Sequence, residues 1–82
     1  MKIGLIKLKT EYGHINIYDK ERMLIELIRN KNKYSYDLYK EVIGNYRKLA
    51  IDNRIDFLKV YKYCDQFAYR NTIRRKIEEA IL

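Results

Sequence analysis

The sequence predicts a mostly α-helical domain opened by a β-hairpin. The first 18 residues alternate apolar and polar positions in two short runs around a glycine. From residue 20 onward, apolar residues instead recur at intervals of three and four, the spacing of a helix face. The 82 residues include no proline and only three glycines, so little of the chain is left for loops. A chain of this length forms one domain, read as a hairpin over residues 2–18 followed by three or four packed helices over residues 20–82.

In residues 2–10, KIGLIKLKT, Ile6 and Leu8 fall on one face and Lys7 and Lys9 on the other, as in a half-buried strand. Residues 14–18, HINIY, repeat the alternation with Ile15 and Ile17 together. Gly13, in the connecting EYG, can supply the positive φ of a tight hairpin. A lone hairpin is unstable in water, so its apolar face is expected to lie over the helices.

Asp19 is placed to cap the first helix, accepting orphan N–H groups of the opening turn. Tyr18 and Met23 have the spacing of a hydrophobic staple. Leu24, Leu27 and Ile28 form the inner stripe, and the helix ends near Arg29, where Arg29, Lys31 and Lys33 suit the negative end of its dipole. Ser35 repeats the pattern as the cap of helix 2, with Tyr34 and Tyr39 as the staple pair. Leu38, Val42, Tyr46 and Leu49 follow at helical spacing beside Ile43. Gly44 costs about 1 kcal/mol relative to alanine inside a helix, which suggests a close helix approach. Asp52 or Asn53 is the expected cap of helix 3, whose inner stripe reads Phe57, Tyr61, Cys64 and Ala68, flanked by Leu58 and Phe67. Asn71 is the expected cap of helix 4, with Ile73, Ile77, Ala80 and Ile81 facing in. Arg74–Glu78 and Arg75–Glu79 are i,i+4 pairs. Arginines near the start of that helix oppose its dipole, so helices 3 and 4 could also run nearly continuously.

The chain carries 18 Lys+Arg against 11 Asp+Glu, a net charge of +7. This favours anionic partners such as nucleic acid or an acidic protein surface. The charge is dispersed, with no segment dominating, so a merely solubilising role competes with a functional basic face. A single cysteine gives no disulfide framework. No leader-like apolar stretch opens the chain, and no run approaches the roughly 20 apolar residues of a membrane span. The expectation is a cytoplasmic protein without membrane association.

His14 and Cys64 are too few and too far apart to build a zinc site. His14 reads as a residue beside the turn and Cys64 as a core thiol. Asp19, Glu21 and Glu26 do not converge on one helix face, and there is no glycine-rich phosphate loop. Neither enzymatic activity nor a cofactor is expected. The nine tyrosines interleave with Lys and Arg, a composition that serves protein interfaces or stacking on single-stranded nucleic acid. Tyr39, Tyr46 and Tyr61 read as structural, and Tyr36, Tyr63 and Tyr69 as surface residues. The Asn- and Lys-rich connection between helices 1 and 2 lacks the compact turn of many helix-turn-helix motifs.

The run GHINIYDKERMLIELIRNKNKYSYDLYKEVIGNYRK resembles the C-terminal domain of AbiEi-type antitoxins of bacterial abortive-infection systems. Tyr18, Asp19, Glu21 and Arg22 match that family's strand-ending motif. Arg29, Asn30, Lys31 and Lys33 match its basic turn, and Asn45 and Tyr46 the end of its next helix. Leu58, Tyr61, Phe67, Arg75, Ile81 and Leu82 fit the tail. Met23 stands where threonine is usual, and Glu26 where aspartate is. The likeness extends over residues 13–82. It implies a non-enzymatic domain that neutralises a nucleotidyltransferase-like toxin, here without the N-terminal winged helix through which full-length relatives repress their operon. The chain would then be either a separately encoded domain or part of a longer one.

On this reading the partner-binding residues are Arg22, Arg29, Lys31 and Lys33, the matched cations on adjacent turns. Arg22 could instead pair with Glu26 and only hold the helix. The alternative is a nucleic-acid-binding module that adds Arg70, Arg74, Arg75 and Lys76. A third possibility is a homo-oligomer formed through the hairpin edge, since exposed edges invite pairing.

Overall fold

The two alternating runs form an antiparallel hairpin of β1 (Leu5–Thr10) and β2 (Gly13–Tyr18). The structure is a computed structural model and describes residues 3–82. Lys2, the first residue of the expected strand, lies outside the described residues. Glu11 and Tyr12 form the turn, and Gly13 supplies the positive φ at 116°. The Thr10 hydroxyl steadies it by donating to the Gly13 carbonyl at 2.8 Å and accepting from the Tyr12 N–H at 3.2 Å.

Four helices follow: α1 (Lys20–Arg29), α2 (Tyr36–Ile51), α3 (Phe57–Cys64) and α4 (Arg70–Ile81), with a single 3₁₀ turn over Lys31–Lys33. The fold is therefore mostly α with an N-terminal β-hairpin. α1 packs against α3 and α4, and α4 packs also against α2 and α3. The core is mainly aliphatic, with Leu24, Ile25, Val60, Ile77 and the Cys64 thiol fully buried and Tyr46 and Phe67 at its margin. Burial pushes the Cys64 thiol up to about 11, consistent with a packing role.

The caps of the first two helices are as expected. Asp19 Oδ1 accepts from the Arg22 N–H at 2.8 Å, and Ser35 Oγ from the Leu38 N–H at 3.2 Å. Later caps differ. Asp52 and Asn53 end α2 rather than start α3. Asn53 takes a left-handed φ of 57°, its N–H donates to the Ala50 carbonyl, and the next N–H, of Arg54, donates to Leu49. This is a Schellman closure with asparagine in the position glycine usually holds. The cap of α3 is Asp56, whose Oδ1 accepts from the Lys59 N–H at 3.1 Å. α4 starts one residue before Asn71, after Tyr69 at a left-handed φ of 60° and without a side-chain cap. That bend separates α3 from α4.

The stripe of α3 is also rotated. Val60 and Cys64 are buried, Phe57 and Tyr61 half-buried, and Ala68 exposed beyond the end of the helix. In α2, Ile43 and Tyr46 reach the core while Leu38 stays exposed. Gly44 marks no close approach, because a Cβ there would meet nothing within 4 Å.

The largest departure is the hairpin. It does not lie over the helices. Ile6, Leu8, Ile15 and Ile17 remain 39–48% exposed, and contact with the helical body is concentrated at its base, where β2 enters α1. The anchor is the backbone: the Asp19 N–H donates to the Gly4 carbonyl at 2.7 Å. Gly4 is required there, since its φ is +77° and an added Cβ would stand 2.6 Å from Arg22 Cβ.

Candidate binding groove and the charged hub of α1

The Asp-x-Glu-Arg run at the start of α1 is interior. Arg22 is only 3% exposed. Its Nε and Nη2 donate to Glu26 Oε1 at 3.0 and 2.9 Å, and its Nη1 donates to the Ile3 carbonyl at 2.7 Å. The guanidinium lies 4.2 Å from the Tyr18 ring centroid and 4.9 Å from that of Phe67, so cation–π attraction adds to the ion pair. Tyr18 is thus covered by Arg22, while Met23, its expected staple partner, is exposed.

Asp19 does more than cap. Its Oδ2 accepts from the Tyr63 hydroxyl at 2.7 Å and pairs with Lys59 Nζ at 3.0 Å. Burial pushes the Asp19 carboxyl up, but the Arg22 N–H, the Tyr63 hydroxyl and the Lys59 ammonium outweigh it and hold the group below its usual value. The same bond to Asp19 raises Lys59. Tyr63 is therefore half-buried and structural, not the surface residue its position suggests. Glu21 is 4% exposed, with Oε1 3.6 Å from Lys59 Nζ. Its Oε2 is buried without a hydrogen-bond partner among the described residues. The Tyr46 hydroxyl donates to the Lys20 carbonyl at 2.9 Å, and burial, with Glu21 and Asp19 nearby, pushes it up to about 12. This cluster ties the hairpin base, α1, α2 and α3 together, and it leaves Arg22 unavailable to a partner.

The other predicted cations are scattered. Arg29 pairs with Glu26 at 3.1 Å and lies 4.5 Å from the Phe67 ring centroid. Lys33 is exposed on the 3₁₀ turn. Arg74 sits over Tyr61 at 4.5 Å, Arg75 is 4.0 Å from Glu79, and Arg70 is exposed at the start of α4.

Lys31 and Lys76, one from each predicted set, share one concavity. Both line an open groove of about 640 Å³ at the C-terminal end of α1, between the 3₁₀ turn, α2 and α4. Tyr36, Tyr39, Lys40 and Arg47 line it from α2, and Glu79 is its one acidic residue. Ile28, Ile43 and Ala80 supply apolar lining. Lys31 Nζ stands 5.1 Å from the Tyr39 ring centroid. Burial raises the Tyr39 hydroxyl, with Arg47 opposing the shift. Arg47 Nε donates to the Ala80 carbonyl at 2.7 Å, which joins α2 to the negative end of α4. Tyr36 is 72% exposed and presents an open ring at the mouth.

Sequence reasoning found Lys31, Lys76 and the exposed Tyr36, but not Lys40 or Arg47. Their signal was present: Tyr36, Lys40, Ile43 and Arg47 are spaced by four, three and four, one face of α2. What the spacing could not supply was the wall contributed by α4.

The groove can hold an anionic group between ammonium and guanidinium donors and pack an apolar or aromatic group against tyrosine. Among the described residues, no three His, Cys, Asp or Glu side chains come together as a metal site, and no helix is long and apolar enough to cross a membrane. No family model, curated protein or solved structure matches this chain.

Proposed function

We propose that this chain is a non-enzymatic, antitoxin-like binding domain that counteracts a nucleotidyltransferase-like toxin of an abortive-infection system. Its working surface is the groove between the 3₁₀ turn, α2 and α4, which receives an acidic face of the toxin. The observation that supports this surface is the convergence of Lys31, Lys40, Arg47 and Lys76 with Tyr36 and Tyr39 around one concavity. Aromatic anchors beside charged donors are the composition of interface hot spots. The antitoxin assignment itself rests on the motif resemblance. The matched Tyr18, Asp19, Glu21 and Arg22 belong to the internal hub, so the shared pattern describes how such a domain is held together. The groove describes what it offers to a partner.

The test is co-expression with a nucleotidyltransferase-like toxin encoded beside this chain. The wild-type domain relieves toxicity, and Lys31→Glu combined with Lys76→Glu abolishes relief while the protein stays folded. Failure of the wild type to protect would overturn the antitoxin reading. Full protection by the double variant would overturn the groove.

A second reading is favoured by the open ring of Tyr36, 72% exposed beside Lys40 and Lys76. Bases of single-stranded nucleic acid stack on such rings while cations track the backbone. That mode predicts retarded electrophoretic mobility at low salt and a steep loss of binding as salt rises. Unchanged mobility of oligonucleotides at low salt removes this reading.

A further inference from the structure

The cations of this chain are committed to different degrees. Arg22, Arg29, Lys59, Arg74 and Arg75 each pair with a carboxylate or lie over an aromatic ring. Lys40 and Lys76 enter no ion pair, hydrogen bond or ring contact among the described residues. Both line the groove between the 3₁₀ turn, α2 and α4. Arg47 joins them there, its Nε held by the Ala80 carbonyl at 2.7 Å and its Nη groups without a partner among the described residues. The groove thus gathers uncommitted donors at one place. They do not continue into a track, because Arg70, Arg74 and Arg75, the other cations that α4 carries before Lys76 and Glu79, do not line it.

The rings gather at the other end. A smaller concavity of about 200 Å³ adjoins the groove, shares Lys31, Asn32, Tyr36 and Tyr39 with it, and adds Tyr34. Lys31 lies over the Tyr39 ring at 5.1 Å. Tyr36, 72% exposed, keeps its ring open, and the Asn32 amide offers both a donor and an acceptor to the edge of a group stacked there. Sequence order gives the groove a direction. Tyr36 opens α2, Lys40 follows one turn later, and Arg47 stands about 16 Å from Tyr36 along the helix axis.

We propose that the groove binds a nucleoside triphosphate, with the base stacked on Tyr36 and the phosphates held among Lys40, Lys76 and Arg47. Its volume of about 640 Å³ is that of a small-molecule site, roughly 300–1,000 Å³. Ammonium and guanidinium groups make charge-assisted hydrogen bonds to phosphate oxygens. Glu79, the one acid in the lining, accepts from ribose hydroxyls or a base amino group, donors that inorganic phosphate lacks. A nucleic-acid strand would need cations that follow its backbone past the groove, and the α4 arginines lie elsewhere. The inference rests on the groove as the working surface of the proposed function, not on the antitoxin assignment. A nucleotide and an acidic partner exclude each other there.

Isothermal titration calorimetry on the intact chain, without any toxin, tests this at physiological ionic strength. The titrants are ATP, GTP, AMP, inorganic tripolyphosphate and a single-stranded oligonucleotide with a 5′-hydroxyl end. ATP and GTP are expected to saturate at one per chain, because stacking tolerates different bases. AMP and tripolyphosphate should bind at least tenfold more weakly. Tyr36→Ala should weaken ATP about tenfold, the scale of one lost stacking contact, and leave tripolyphosphate unchanged. Lys40→Ala with Lys76→Ala should weaken both. All three positions are exposed, so the variants keep the wild-type helical circular dichroism. Three results would each overturn the proposal: no saturable binding of either triphosphate, tripolyphosphate binding as tightly as ATP, or the oligonucleotide binding more tightly than ATP. None of these depends on whether the domain relieves toxicity, so the nucleotide site and the antitoxin reading fail separately.

Discussion

The two ends of α1 carry similar charged residues and do opposite things with them. At the N-terminal end, Asp19, Glu21 and Arg22 turn inward, and Arg22 is 3% exposed between two aromatic rings. At the C-terminal end, Lys31 reaches a groove shared with Tyr36, Lys40 and Lys76. The first end holds the hairpin base, α2 and α3 in place. The second is open to a partner. A charged motif is therefore no guide to a site until burial is known, because a buried ion pair and an exposed cation read alike in sequence.

Mutations sharpen the contrast. The largest effect is expected for Arg22→Ala, which takes from Glu26 its buried cation, leaving only the more exposed Arg29, and removes the Arg22 donor from the Ile3 carbonyl. Removing one partner of a buried pair costs about 3–5 kcal/mol, to be read as a lower urea midpoint.

Tyr63→Phe removes a hydrogen bond to an ionised carboxylate and costs about 1.5 kcal/mol near neutral pH. The pH dependence has a definite sign. Asp19 lies below its usual value in the folded state, so its contribution is complete above the unfolded pKa of about 3.9 and is lost as pH falls through the folded value. The cost of Tyr63→Phe should shrink over that acidic window. A cost independent of pH would remove Asp19 from the account.

Gly44→Ala is expected to stabilise by about 0.5–1 kcal/mol, because the position is helical and a Cβ meets nothing within 4 Å. A loss of stability there would restore the close helix contact that sequence suggested. The smallest change in stability, within about 0.5 kcal/mol, is expected for Lys31→Glu with Lys76→Glu. That variant should unfold like the wild type while losing its anionic partner.

Much of the fold was legible. Asp19 and Ser35 cap their helices because short acceptor side chains stood just before an apolar period. Gly13 turns the hairpin because no other residue there tolerates its φ. The misassigned caps have a physical reason too. Asn53 can cap a helix start or close a helix end in the left-handed conformation, and only the position of Ile55 in the core decides between them. Val60 rather than Tyr61 holds the centre of α3 because fully burying a tyrosine requires a partner for its hydroxyl, and valine needs none. The candidate site was half legible. Lys31 and Lys76 lie 45 positions apart in the chain, and no periodicity could show that α2 and α4 place them around one groove. Arg22 was legible only as a choice between a contact and a strut, and its burial decides for the strut.

The most direct test of the contrast between the two ends of α1 is a two-dimensional amide NMR titration of the intact chain with an oligoglutamate peptide at low salt. The account predicts shifts clustered on Lys31, Tyr36, Tyr39, Lys40, Arg47 and Lys76, with Asp19, Glu21 and Arg22 unmoved. Shifts centred on Asp19–Arg22 or on the hairpin lysines, with the groove silent, would contradict it.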